Sequence, residues 1–158
     1  MIIRGARSSE VSTLAALGVI AWEQAFSNAG ENTESIQQNA EATYSHFCAN
    51  FWHTIQVAEL DGEIVGWGAL EIGRNNLTDL WILPVIQRQG VGSAILATLE
   101  AYAQHLGFED LELETHAKNV AAIAFFKKHD FAISGLKSTY SASLDRSIDI
   151  LQMRKLFE

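Results

Sequence analysis

The chain has 158 residues, 48% of them hydrophobic and 19% charged, enough for one folded core and not comfortably enough for two. Its formal net charge of -8 argues against a general nucleic-acid binder, and the lone cysteine, Cys48, excludes an intramolecular disulfide. No apolar run reaches transmembrane length and the opening "MIIRGARSSE" has no signal-peptide core, so the expectation is one cytoplasmic domain spanning 1–158, without membrane contact.

The first element is "MIIRGAR", a short strand, followed by a helix that Ser8 or Ser9 can cap, with Val11, Leu14, Ala15 and Ala16 at helical spacing. This helix runs on toward Phe26 or breaks near Gly18. After the loop "SNAGENT", Thr33 can cap a second helix carrying Ile36, Ala40, Tyr44, Phe47 and Phe51 on one face. "HTIQVAEL" and "EIVGWGALEI" read as strands around the hairpin signal Asp61-Gly62. "NLTDLWIL" is a third strand in this run, stopped by Pro84 because proline cannot donate to a ladder. A helix starts near Gly90, carries Ile95, Leu96, Leu99, Ala103 and Leu106, and ends at Gly107. Then come the strand "DLELETH", a short helix capped by Asn119, and a final antiparallel pair, "FAISGLKSTYS" and "SIDILQMRKLF". The order β-α-α-β-β-β-α-β-α-β-β predicts an α+β fold with a mixed sheet.

Charge is spread unevenly. Between Arg7 and Arg74 there is no Lys or Arg, but there are nine carboxylates; from Leu80 onward the charges nearly balance. The pattern suggests a cationic ligand near the first half and an anionic one near the second. The anionic site has a candidate in "PVIQRQGVGSAI", Pro84 to Ile95. A strand, a Gly-rich turn and a helix present unpaired backbone N–H groups and a positive helix end to a phosphate. Arg88 adds a fixed charge. No Lys-Ser/Thr pair follows Gly92, so this is not a P-loop, and Ile95 stands where a dinucleotide fingerprint needs a small residue. The five histidines and Cys48 show no ligand spacing, so no metal is expected.

"LWILPVIQRQGVGSAILATLE" resembles the acyl-CoA-binding signature of the GNAT superfamily of N-acetyltransferases, with Gln87, Gly90 and Gly92 at the pattern positions. "NVAAIAFFKKHDF", Asn119 to Phe131, is similar to the next motif of that family. The resemblance implies a mixed, mostly antiparallel central sheet flanked by helices, and acetyl-CoA as co-substrate. It implies that backbone N–H groups of Arg88, Gln89, Gly90, Val91, Gly92 and Ser93 hold the pyrophosphate. Backbone of Leu80, Trp81 and Ile82 would run beside the pantetheine arm, with the N–H of Ile82 polarising the thioester carbonyl. Asn119 would contact the arm, and Phe125 and Lys128 would lie near its far end.

Two positions depart from the family pattern. Phe126 replaces a tyrosine that protonates the leaving thiolate in many relatives, and Asp130 replaces a glycine. Tyr140 is the candidate substitute acid, although a thiol ionising near pKa ~8.5 can leave unaided. Glu114 matches a glutamate that serves as base in some relatives; Asp79 is the alternative and His116 a third. Trp22, Phe26 and Trp52 are candidate acceptor contacts, suited to a cation by cation–π attraction. The expected activity is acetyl transfer to a primary amine on a small cationic molecule. Acetylation of a protein or peptide, and a non-catalytic acyl-CoA sensor, are the alternatives. The resemblance leaves assembly open, with homodimers through the C-terminal strands as a common family arrangement.

Overall fold

The computed structural model describes residues 1–142 and 144–158. Eleven main elements follow the predicted order: β1 (Ile2–Gly5), α1 (Val11–Asn28), α2 (Gln37–Phe51), β2 (Ile55–Leu60), β3 (Glu63–Leu70), β4 (Asn76–Ile82), α3 (Val91–His105), β5 (Asp110–His116), α4 (Val120–Lys128), β6 (Ala132–Ser141) and β7 (Arg146–Leu156). The strands form one sheet in the order β1-β2-β3-β4-β5-β7-β6. Every neighbouring pair is antiparallel except β4 and β5.

Period-2 alternation divides the buried residues between the two faces of the sheet. On one face α1 and α2 pack Leu14, Trp22, Tyr44 and Cys48 against Trp67 of β3. On the other, α3 and α4 pack Ile95, Leu96, Leu99 and Phe126 against Leu111 and Met153. Trp67 is fully buried, and its indole N–H is satisfied by the Leu14 carbonyl at 2.9 Å, which pins α1 to the sheet. Gly68 lets α3 approach: a Cβ there would stand 2.9 Å from Ile95 and 3.1 Å from Leu99.

The structure decides several local expectations, some for and some against. α1 does not break at Gly18; a Cβ at that position would stand 3.2 Å from both Trp67 and Tyr44, so the glycine serves close packing. Ser8 and Ser9 lie inside a 3₁₀ turn, and the Glu10 carboxylate, not a serine, accepts the Arg7 N–H at 2.8 Å. Thr33 is buried and makes no capping bond. Asn119 does cap α4, its Oδ1 accepting the Ala122 N–H at 3.2 Å. Among the described residues, no helix is long and apolar enough to cross a membrane.

Candidate active site

The parallel pairing of β4 with β5 extends only over Asn76 with Glu112 and Leu77 with Leu113. Beyond Leu77 the two strands part, and a gap opens between the rest of β4 and the end of β5. The Leu83 N–H bonds to the Val65 carbonyl at 2.9 Å. Antiparallel hydrogen bonding alternates sides residue by residue, so the peptide groups of Leu80 and Ile82 face away from β3, toward the gap, while those of Trp81 face β3. The Gln87 side chain reaches the Ile82 carbonyl from that open side, at 3.4 Å. β4 therefore offers an unpaired ladder edge in the middle of the sheet.

After β4 the chain turns through Pro84–Ile86 and enters α3. Arg88 and Gly90 both adopt positive φ, 68° and 82°. Gly90 suits this at no steric cost; Arg88 adopts it without that freedom. The Ala94 N–H bonds back to the Gly90 carbonyl at 3.1 Å. The N–H groups of Val91, Gly92 and Ser93 precede it, at the helix end where no intrahelical partner exists. The Phe125 ring closes onto this turn, 3.3 Å from where a Gly92 Cβ would stand. His129 Nε2 lies 2.9 Å from the Ser93 hydroxyl.

Between α1 and α2 on one side and α4 on the other, a cavity of about 330 Å³ lies along the gap. Its walls include Trp22 and Phe26 of α1, Tyr44 of α2, and Asp79 and Trp81 of β4. Asp79 is half-buried and accepts the Trp81 indole N–H at 3.0 Å. Burial pushes its carboxyl pKa up, and hydrogen bonds from Trp81 and Thr78 only partly oppose this. Burial, with the Asp79 charge adding to it, also pushes the nearby Cys48 thiol up to about 12, which leaves it inert. Glu114 lines the same cavity, but its carboxylate is 43% exposed and paired with Lys137 at 3.2 Å. Tyr140 stands at the mouth, 62% exposed, and its hydroxyl donates to Asp145, which holds the phenol above its ordinary pKa. Phe126 lines the cavity and packs edge-on against Phe125 and Phe131. None of the nine carboxylates of the Lys/Arg-free stretch lines the cavity.

A family model described as the acetyltransferase (GNAT) family matches residues 17–131, well over half of the chain. The chain belongs to the GNAT acetyltransferase family. It is 27% identical over 114 residues to the uncharacterized protein YdhI of Bacillus subtilis, which covers 61% of this chain and 71% of YdhI. Among solved structures, a GCN5-related N-acetyltransferase from Rhodopseudomonas palustris superposes with a TM-score of 0.83 at 21% identity, over 99% of this chain and 95% of that one. The PaiA N-acetyltransferase of Thermoplasma acidophilum, solved in complex with coenzyme A, gives 0.82 at 20% identity over 99% and 98%. A ribosomal-protein-alanine N-acetyltransferase from Brucella melitensis gives 0.72 at 22% identity over 99% and 100%.

Within this GNAT fold the expected site residues separate into groups. Leu80 and Asn119 line the cavity at the gap, and Gln87, at the start of the turn into α3, reaches the Ile82 carbonyl on the same open edge of β4. Trp22, Phe26, Asp79, Glu114 and Tyr140 share the cavity beside it. Trp52 does not join them; it lies in a 3₁₀ turn after α2, against His53 at 5.9 Å. His116 is also no free base. Its Nδ1 accepts the Lys118 N–H at 3.0 Å and its Nε2 meets Glu31 at 2.8 Å. Glu31 and Arg146 had no signal in the sequence, since the bonds joining them to the site span 85 and 115 residues. Among the described residues no group of His, Cys, Asp or Glu could hold a metal ion.

Proposed function

We propose that the protein transfers an acetyl group from acetyl-CoA directly to the primary amine of a small acceptor that is cationic in water, with Asp79 as the base. The observation that carries this reading is the half-buried Asp79 carboxyl, raised by burial, in an aromatic-walled cavity that opens on the same gap as the Ile82 N–H. Fit to the donor is supported by the unpaired edge of β4 and by the free N–H groups that start α3. Leu80 and Ile82 would hold the pantetheine arm, Asn119 would contact it, and the turn from Arg88 to Ser93 would hold the pyrophosphate, with Arg88 and Lys128 adding charge. Acetyl-CoA supplies the acetyl group as a thioester.

Asp79 takes a proton from the acceptor ammonium, and the neutral amine can then attack the acyl carbon. A carboxyl raised toward neutrality is a better match for this task than an ordinary one. The Ile82 N–H donates to the acyl oxygen as charge develops there. The new N–C bond forms as the C–S bond breaks, the sulfur keeps the electron pair, and the second proton on the attacking nitrogen leaves to the departing thiolate or to water as the amide forms. No side chain has to protonate that sulfur, because a thiol near pKa ~8.5 leaves tolerably as thiolate. Trp22, Phe26, Tyr44 and Trp81 give the amine an apolar, π-rich wall. At about 330 Å³ the cavity is near the lower limit of small-molecule sites, which favours a small amine over a peptide or an aminoglycoside.

The test is thiol release from acetyl-CoA across a panel of 2-phenylethylamine, polyamines, amino acids, aminoglycosides and peptides. Preferred turnover of a small amine supports the reading. Preference for peptides with a free N-terminus transfers it to peptide acetylation, and acetyl-CoA binding with no turnover on any amine transfers it to a sensor.

A further inference from the structure

His116 ends β5 and is buried, with 5% of its surface exposed. Its ring and backbone make three bonds that run in two directions. Toward α4, Nδ1 accepts the Lys118 N–H at 3.0 Å and the carbonyl accepts the Asn119 N–H at 2.9 Å. Toward the loop after α1, Nε2 meets the Glu31 carboxylate at 2.8 Å. A ring nitrogen that accepts a backbone N–H carries the lone pair, so the ring proton is on Nε2 and is donated to Glu31. Both nitrogens are therefore engaged by groups of the protein itself.

Glu31 is itself held from three sides. Its N–H donates to the Phe26 carbonyl at 2.9 Å, and its second carboxylate oxygen takes the Arg146 guanidinium, with Nε at 3.0 Å. Burial pushes its pKa up, but the bonds from His116 and Arg146 more than offset this and keep it ionised. The Phe26 ring, a wall of the acceptor cavity, meets the His116 ring edge-on at 5.6 Å. One imidazole therefore ties the Phe26–Glu31 segment to the Lys118–Asn119 turn.

We propose that His116 is a positioning residue with two separable duties: Nδ1 sets the turn that presents Asn119 to the acetyl donor, and Nε2, through Glu31 and Arg146, sets the Phe26 wall of the acceptor cavity. The inference rests on the reading of Asn119 as a donor contact. Its physical basis is that the two nitrogens can be replaced one at a time. An Asn side chain can place an acceptor oxygen near the Nδ1 position, but it cannot reach Glu31. A Gln side chain can place an amide N–H near the Nε2 position, but it offers Lys118 no acceptor.

The experiment compares wild type, H116N, H116Q and R146M by amide hydrogen exchange, by calorimetry with acetyl-CoA, and by steady-state kinetics with 2-phenylethylamine. H116N should keep acetyl-CoA Kd within about twofold, raise acceptor KM about tenfold, and speed exchange at Glu31. H116Q should show the reverse: acceptor KM near wild type, acetyl-CoA Kd about tenfold weaker, and faster exchange at Lys118. Arg146 is 55% exposed, so R146M is the variant safest to fold, and it should reproduce only the acceptor-side changes. Wild type that binds acetyl-CoA, with H116N and H116Q changing the same quantities equally, overturns the two duties and leaves the proposed activity standing. R146M that alters donor and acceptor parameters alike overturns them too. Wild type that fails to bind acetyl-CoA overturns the donor reading and this inference with it.

Discussion

Replacing Asp79 by Asn tests the proposed base through stability and rate together. The substitution keeps shape and an oxygen to accept the Trp81 N–H, now 3.0 Å away, while removing the titratable charge. The folded pKa of Asp79 is raised by burial, so the folded state binds that proton more tightly than the unfolded chain does. The stabilising contribution is therefore fully present below the unfolded value, ~3.9, and is lost as pH rises through the folded value. Each unit of elevation corresponds to about 1.4 kcal/mol, or roughly 3–5 °C in Tm for a chain of this size. The wild type should lose this increment on going from acid to pH 8, and D79N should not. At pH 8 D79N should melt higher than wild type, with the difference shrinking toward pH 4. Its kcat/KM should fall by about 10²–10⁴, and the acidic limb of the pH–rate profile should disappear. Differential scanning calorimetry at a series of pH values, beside thiol-release kinetics, gives both quantities. A Tm difference independent of pH, together with kcat/KM within threefold of wild type, would refute the reasoning.

Other substitutions separate the remaining roles. E114Q should lower kcat/KM less than about threefold and leave the pH profile parallel, because Glu114 is solvated and paired with Lys137; a hundredfold loss rescued at high pH would return the base role to it. Y140F should lower kcat less than about threefold, since that hydroxyl is already given to Asp145, and a loss of 10² or more in single-turnover measurements would make Tyr140 the acid. G90A places a side chain at φ 82°, which should destabilise the protein by about 1–2 kcal/mol in urea unfolding. It should also reduce the acetyl-CoA-induced gain, roughly 2.7 kcal/mol at 100 times Kd in the wild type, because the methyl enters space that the protein leaves open; an undiminished gain would move the phosphate site away from this turn.

The order of elements and the glycine-bearing turn before α3 were legible in the sequence because their signals are local. Apolar periodicity, the Asn119 cap, the Asp61-Gly62 hairpin and the glycines after Pro84 each act over a few residues, where backbone preference and neighbouring side chains decide the conformation. Position in the sheet followed less directly. That β4 lies beside β5 for only two residue pairs, and so exposes the peptide groups of Leu80 and Ile82, depends on how two twisted halves of the sheet meet. The same holds for charge. Glu114 and Asp79 are both strand carboxylates in the sequence, yet Lys137 and solvent neutralise one, while Trp22, Tyr44 and Trp81 surround the cavity beside the other. Desolvation is set by everything within a few ångströms, wherever it lies along the chain. The His116–Glu31–Arg146 bonds are the extreme case: three polar residues with nothing in common in the sequence are joined only once α1, β5 and β7 have packed around one cavity.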